Sequence, residues 1–342
     1  MKRIGVITSG GDAPGTNACV RTIARRGFAD GVEVCGIFDS WDGLLSGNVR
    51  ALTRQDVAGI VQRAGTILRS ARSTLLTQPG DAEKAVAALT KAGIEGLIIV
   101  GGNGSQSGAH VLAQAGFPVI GVPKTIDNDL HGTDFSVGFF TAAEVATNAL
   151  DSLRATAEAH SRVMIVESMG RDSGWIAVEA GIAGGADLVL IPEHEFTLDG
   201  ICERLRVRHD VHKRNYSIVI IAEGAMDKSK KLDPRRGTKD VNARPRLGGV
   251  GTMLALEIER KLGYNARCTT LGYLQRCATP IAVDRVLATR LSDFAYDLLK
   301  QGKSGVMAAL AGRELEAVSL AQVAGKTKRV TDDYFRLAEI FG

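Results

Sequence analysis

Arg3–Asn17 reads RIGVITSGGDAPGTN. Arg3–Thr8 is an apolar run of strand length, Gly10 and Gly11 break it, and a helical pattern follows. In that pattern, Asn17–Ala29, one face carries Val20, Ile23, Ala24 and Phe28, the period of an amphipathic helix. Strand, glycine turn and helix in that order form the repeating unit of an α/β protein. The unit recurs along the chain. Strands are predicted at Val32–Phe38, Gly96–Val100, Pro118–Val122, Arg162–Glu167, Asp187–Ile191 and Ser217–Ala222. Helices are predicted at Asp81–Ala92, Ser136–Glu158, Leu254–Leu262 and Asp284–Gln301. Alternation of this kind predicts mainly parallel sheets, with ligands bound beyond the carboxyl ends of the strands. Met226–Gly251 is charged and rich in Gly and Pro, and is predicted as a surface loop.

The 342 residues suffice for about two domains, and such a chain needs no disulfide or structural metal to stabilise its core. Charged residues are 23% and aromatics 5%. The net charge of +4 comes from scattered basic residues without aromatic stacking partners, which argues against nucleic acid and suits small anionic substrates. Cys19, Cys35, Cys202, Cys268 and Cys277 form no CxxC pair, as expected in a reducing compartment. The opening residues lack a secretory pattern, and no apolar run reaches the ~18 residues of a membrane span. The expectation is a cytoplasmic enzyme with no membrane partner.

Three motifs follow strands in the first half. In TSGGDAPGTN (Thr8–Asn17) the paired glycines let backbone N–H groups approach an anion at a helix start. It lacks the GxGxxG of a dinucleotide site and the GK[ST] of a Walker loop, and alone it could be a tight turn. GGNGS (Gly101–Ser105) is a second such turn. In PKTIDND (Pro123–Asp129) two carboxylates stand two residues apart beside a Thr and a Lys. That set suits phosphoryl transfer, one carboxylate taking a proton and the other helping to hold Mg²⁺. An Asx-rich turn with solvated charges is the alternative.

With Met169–Gly174 (MGRDSG), AEG at 222–224 and LGYLQR at 271–276, these motifs in this order resemble the phosphofructokinase family from residue 3 to about 300. The resemblance implies two Rossmann-like three-layer domains with the active site in the cleft between them: 1–137 plus about 275–305 for the phosphoryl donor, and 138–274 plus about 306–342 for fructose 6-phosphate. It implies transfer of the γ-phosphoryl of ATP to the sugar 1-hydroxyl, giving fructose 1,6-bisphosphate in glycolysis. By position, Asp127 would be the base, Asp129 would help hold Mg²⁺ with Asn103, Thr125 would position the reacting groups, and the Gly11 N–H would meet the transferred phosphoryl. Arg72, Gly101, Gly102, Asn103, Gly104, Ser105 and Lys124 would line the donor site, and Arg171 would support developing charge. Met169, Gly170, Arg171 and Glu223 would contact the sugar, with Tyr273, Arg162, Arg267 and Arg276 around its phosphate. Arginine suits that role through its bidentate fork. In the family Arg162 and Arg267 would come from a neighbouring subunit, implying a homotetramer with shared active sites. Arg21, Arg25, Arg54, Arg154, Asp187 and Lys213 match positions of the family's effector site for ADP and phosphoenolpyruvate; the alternative is a basic helix face at a subunit interface.

The chain departs from the family pattern in three places. Asn103 replaces the usual acidic residue of GGDGS, which removes a charge from the metal site. Gly104 leaves room for a nucleotide, whereas Lys124 is typical of members that use pyrophosphate. Cys277–Ala278 stands where two glycines are usual, and Tyr273 where His often occurs. The alternatives are therefore a pyrophosphate-dependent phosphotransferase, a kinase of another phosphosugar such as sedoheptulose 7-phosphate, and a degenerate sugar-phosphate-binding paralogue without catalysis.

Overall fold

Two separate, mainly parallel sheets organise the chain. The computed structural model describes residues 1–71, 76, 78, 80–229, 232–233 and 247–340. Arg72 and most of the predicted 226–251 loop lie outside the described residues. The chain divides into two units, Met1–Thr141 with Arg276–Lys328, and Ala142–Gln275 with Arg329–Gly342.

In the first unit the order is β1 (Arg3–Ser9), α1 (Thr16–Asp30), β2 (Glu33–Ile37), α2 (Ser40–Ser46), β3 (Val49–Ala51), α3 (Asp81–Lys91), β4 (Gly96–Gly101), α4 (Asn103–Gln114) and β5 (Val119–Pro123). The helix α5 (Phe139–Ala159) leads on into the second unit. That unit holds β6 (Val163–Ser168), α6 (Trp175–Ala183), β7 (Leu188–Leu190), α7 (Leu198–Arg206), β8 (Ser217–Ala222), α8 (Val250–Leu262) and β9 (Ala266–Thr270). After α9 (Leu274–Cys277), the helix α10 (Ala282–Lys300), β10 (Val306–Ala311), β11 (Glu314–Ser319) and α11 (Leu320–Val323) belong to the first unit. The last helix, α12 (Asp332–Ile340), belongs to the second.

The first sheet runs β11-β10-β5-β4-β1-β2-β3. Its inner strands pair in parallel, and β3 and β11 close the edges antiparallel. β1, β4 and β5 read as continuous apolar runs because both their faces are covered. On one face Ile23 of α1 and Leu287, Leu291 and Leu298 of α10 pack on Val6, Ile98 and Ile120. On the other, Leu89 of α3 and Leu112 of α4 pack on Ile7, Leu97, Ile99 and Val119. Residues 306–328, expected with the second domain, fall in the first unit instead. The reason is pairing: Val306 and Met307 of β10 register with Ile120 and Gly121 of β5, and β11 then adds outside β10.

The second sheet runs β7-β8-β6-β9, all parallel. Ile201 and Leu205 of α7 and Leu254 and Ile258 of α8 cover one face. α6 lies on the other so closely that a Cβ on Gly181 would sit 2.5 Å from Val189 Cγ2. The predicted loop ends sooner than expected, since Val250 and Gly251 already form the first turn of α8. The buried Glu167 carboxylate draws them in, accepting the N–H groups of Gly249 at 2.8 Å and Gly251 at 2.7 Å.

Candidate active site

Each of the six motifs begins at the carboxyl end of a parallel strand: β1, β4 and β5 in the first unit, β6, β8 and β9 in the second. β1, β4 and β5 are neighbours in their sheet, so their three loops gather at one edge.

After β1, Gly10 takes a positive φ of 81°, a conformation that favours glycine, and turns the chain toward α1. A strap from 66–71 holds this loop. The Ser70 hydroxyl donates to Gly10 O at 2.7 Å, and Gly10 N–H donates to Ala71 O at 3.2 Å. Ala71 is the last described residue before Arg72. After β4, the GGNGS stretch is the start of a helix: Gly102 caps α4, and Asn103, Gly104 and Ser105 form its first turn. The free N–H groups and dipole of such a turn favour an anion. Gly104 is exposed, and a Cβ there would meet nothing within 4 Å. Gln106, fully buried, ties the β4 and β5 ends together by donating to Gly101 O at 2.9 Å and Val122 O at 3.1 Å.

The loop after β5 carries Thr125, Asp127 and Asp129, all partly buried. Asp127 N–H donates to Thr125 Oγ1 at 3.2 Å, and the Asn103 side-chain amide donates to Asp129 Oδ2 at 2.7 Å. Asn128 holds the turn in the left-handed region at φ 49°, and its Oδ1 accepts Ser136 N–H at 3.1 Å. The Ser136 hydroxyl reaches back to Thr125 O at 2.7 Å.

Lys124 and Arg276 bring cationic groups to the first loop. The Lys124 ammonium is buried and donates to Ser9 O at 3.0 Å and Gly11 O at 2.5 Å. Burial, reinforced by the Arg276 charge, pushes its pKa down to about 8. Arg276, expected at the sugar phosphate, has its guanidinium against the first loop. Its Nη1 donates to Asp12 O at 2.9 Å, and a Cβ on Gly11 would lie 2.8 Å from the same nitrogen.

In the second unit the loops after β6 and β8 interlock. Glu223 N–H donates to Ser168 O at 2.8 Å, and Gly224 N–H to Gly170 O at 3.0 Å. Gly170 stands at φ 140°, where a side chain would press on Ser173 O at 2.7 Å. Gln275, fully buried, accepts Met169 N–H at 2.7 Å. Met169, Gly170, Arg171 and Glu223 are thereby brought together. Tyr273, in the turn after β9, is 78% exposed. Arg162 and Arg267 are not brought to this end. They lie at the amino ends of β6 and β9, where Val163 registers with Ala266 and Met164 with Arg267. Seven residues of extended chain put Arg162 about 20 Å from Met169. Arg267 forms an ion pair with Glu259.

Of the effector-type residues, Arg21, Arg25 and Arg54 are in the first unit and Arg154, Asp187 and Lys213 in the second. Arg54 stacks over Phe28 at 5.4 Å, and Arg154 is tied to Gly184 O at 2.5 Å. Asp187 is buried, accepts Ile218 N–H at 2.7 Å and pairs with Arg208 at 2.5 Å. Burial pushes its carboxyl pKa up. Sequence reasoning passed over Arg208, Gln106, Glu167 and Gln275, whose roles depend on partners remote in the chain.

A Mg²⁺ site can be tested against these residues. Asn103 Oδ1 is buried with no hydrogen-bond partner among the described residues, so a hard neutral oxygen stands beside the Asp129 carboxylate. No three His, Cys, Asp or Glu side chains converge among the described residues. One carboxylate and one amide oxygen fit Mg²⁺ that shares substrate phosphate oxygens and keeps waters, its usual manner of binding. No described helix is long and apolar enough to cross a membrane.

The family model described as Phosphofructokinase matches residues 3–299. The pyrophosphate–fructose 6-phosphate 1-phosphotransferase of Amycolatopsis methanolica is 44% identical over 340 residues, 99% of each chain. The ATP-dependent 6-phosphofructokinase 3 of Streptomyces coelicolor is 44% identical over 338 residues, 98% of this chain and 99% of its own. The crystal structure of pyrophosphate-dependent phosphofructokinase from Marinobacter aquaeolei superposes with a TM-score of 0.84 at 24% identity, covering 99% of this chain and 91% of that one.

Proposed function

The chain belongs to the phosphofructokinase family, and on that premise we propose that it is an ATP-dependent 6-phosphofructokinase of glycolysis, transferring the γ-phosphoryl of ATP to the 1-hydroxyl of fructose 6-phosphate. The observation that carries this reading is the gathering of two glycine turns and the Asp127/Asp129 loop on three adjacent strands. Phosphoryl transfer demands mostly positioning and electrostatics, and backbone N–H groups at a helix start supply both.

Asp127 takes the proton from the sugar 1-hydroxyl as the oxygen attacks, with Thr125 orienting the reactants. The Gly11 N–H and the first turn of α4, from Gly102 to Ser105, receive phosphoryl oxygens, and Arg72 serves the donor phosphates. Asp129 and Asn103 Oδ1 would hold Mg²⁺, which when bound neutralises charge on the donor phosphates. Met169, Gly170 and Glu223 bind the sugar, and Arg171 meets charge developing on the phosphoryl group. Arg162 and Arg267 serve the 6-phosphate of a neighbouring subunit in a homotetramer. Their position at the amino ends of β6 and β9 supports that sharing. The enzyme is cytoplasmic, with Arg21, Arg25, Arg54, Arg154 and Lys213 as an effector site.

Pyrophosphate is the second reading, favoured by Lys124 and by the Amycolatopsis relative. Two observations support ATP over it. Lys124 spends hydrogen bonds on the Ser9 and Gly11 carbonyls, as a brace of the loop. Gly104 leaves open space at the first turn of α4. The test is fructose 1,6-bisphosphate formation by the purified protein with Mg²⁺, fructose 6-phosphate and either ATP or pyrophosphate. Product with ATP alone is expected. Product with pyrophosphate alone reverses the donor, and no product from a folded protein that binds the sugar phosphate removes the kinase reading.

A further inference from the structure

Asp127 and Asp129 sit on an irregular loop, and irregular backbone must be fixed from outside if its carboxylates are to keep one orientation. The Asn128 and Ser136 bonds fix its interior. The Asn103 amide holds the Asp129 carboxylate itself, and a further restraint, on the loop's backbone, arrives from nearly 200 residues away. Thr327 forms an isolated antiparallel bridge with Leu130. Lys328 N–H donates to Asp129 O at 2.7 Å. The Lys328 ammonium donates to Thr133 O at 2.9 Å and Asp134 O at 2.7 Å. One residue therefore grips both ends of the 129–134 turn. The turn is anchored on its far side too, where Leu310 N–H donates to Thr133 Oγ1 at 3.0 Å and Asp134 N–H to Leu310 O at 2.8 Å.

We propose that Lys328 is a positioning residue for phosphoryl transfer, which sets the orientation of the Asp127 and Asp129 carboxylates by clamping their loop from a segment beyond the 3–299 family match. The inference rests on the function proposed above. A Lys reaching two carbonyls makes charge-assisted bonds, stronger than neutral ones. The site keeps its ammonium partly buried at a cost, since burial pushes its pKa down to about 8 while Asp134 and Asp129 pull it up. The Lys328 bonds named above all run to the loop's backbone, so its loss should act on the chemical step and leave sugar binding alone. Small misplacements of reacting groups cost about 10²-fold in rate.

The experiment compares full-length Lys328→Met and Lys328→Arg with the parent. Lys328→Met is expected to lose about 10–100-fold in kcat while its KM for fructose 6-phosphate stays within about twofold, the pattern of a lost transition-state interaction. Lys328→Arg keeps the charge and the donors and should recover most of the loss. Hydrogen exchange of the 125–136 amides gives a readout without substrate: faster in Lys328→Met, restored in Lys328→Arg. An unchanged kcat in Lys328→Met, or a fall matched by equal loss of sugar affinity, overturns the proposal. A parent that makes no fructose 1,6-bisphosphate defeats the functional reading, and the exchange comparison then judges the clamp by itself, unchanged exchange overturning it. Should Lys328→Met fail to fold, Lys328→Gln, which retains a donor, takes its place in the same comparisons.

Discussion

The side-chain amide of Asn103 donates to the Asp129 carboxylate at 2.7 Å. A carboxylate at position 103 would set two negative charges at that separation, an arrangement that demands a cation or a shared proton. The amide substitutes attraction for repulsion, so Asn103 and Asp129 hold each other directly.

Asn103→Asp should therefore make folding stability depend on Mg²⁺. In chelator the variant should melt below the parent by about 1–3 °C for each ~1 kcal/mol lost, less than in a 150–250-residue chain because this one has 342 residues. Saturating Mg²⁺ should restore it. Differential scanning calorimetry with and without Mg²⁺ decides the matter, and equal melting temperatures in chelator would refute the argument.

Gly104→Asp should fold normally, because a Cβ there meets nothing. The added side chain would fill the open space that the proposed function gives to the nucleotide. We expect kcat/KM with ATP to fall by about 10-fold or more, roughly 1.4 kcal/mol of transition-state binding. An unchanged kcat/KM with ATP would mean that residue 104 does not shape the donor site.

Asp127→Ser should reduce kcat by about 10²–10⁴, the usual contribution of a general base. Calorimetric titration with fructose 6-phosphate should give affinity within about twofold of the parent, because removing the base leaves ground-state binding intact. Retained turnover would assign the proton transfer to another group.

Lys124→Met tests the buried brace through pH. In the folded chain the ammonium loses its proton near pH 8, against an ordinary value of 10.5. Between those values the unfolded chain holds a proton that the folded chain has released. Stability then rises with pH by up to about 1.4 kcal/mol per unit. Below about 8 both states are protonated and the burial cost is fully present. Urea unfolding at pH about 7.5 and about 9.5 should show the parent gaining on the variant by about 2 kcal/mol. A constant difference would show that the group titrates normally.

The fold was legible where strands are covered on both faces. β1, β4, β5, β6 and β8 are continuous apolar runs, and every motif fell at a strand end. β9 escaped notice because it is a polar edge strand whose Arg267, Thr269 and Thr270 face solvent. β10 and β11 (VMAALA and ELEAVS) were missed because nothing local sends β10 to β5 or β11 to the outer edge of β10. At the site, Gly11, Thr125, Asp127 and Asp129 were marked by their motifs. Lys328 had no such mark: in KTKRV it reads like its neighbour Lys326, and only the fold distinguishes the two. Gln275 and Glu167 were hidden in the same way, their roles set by Met169, Gly249 and Gly251.

The first unit is written in two pieces, 1–141 and 276–328, and this bears on the order in which the protein can be made. β5 cannot be paired on its outer side until 306–311 has been synthesised, and the 125–134 loop cannot be clamped until residue 328 follows. A nascent chain therefore carries the open edge of an apolar strand while residues 124–305 are made, at about 5–20 residues per second. Such an edge invites pairing with other chains. The ribosome must release residues 306–311 before the first unit can close its own sheet.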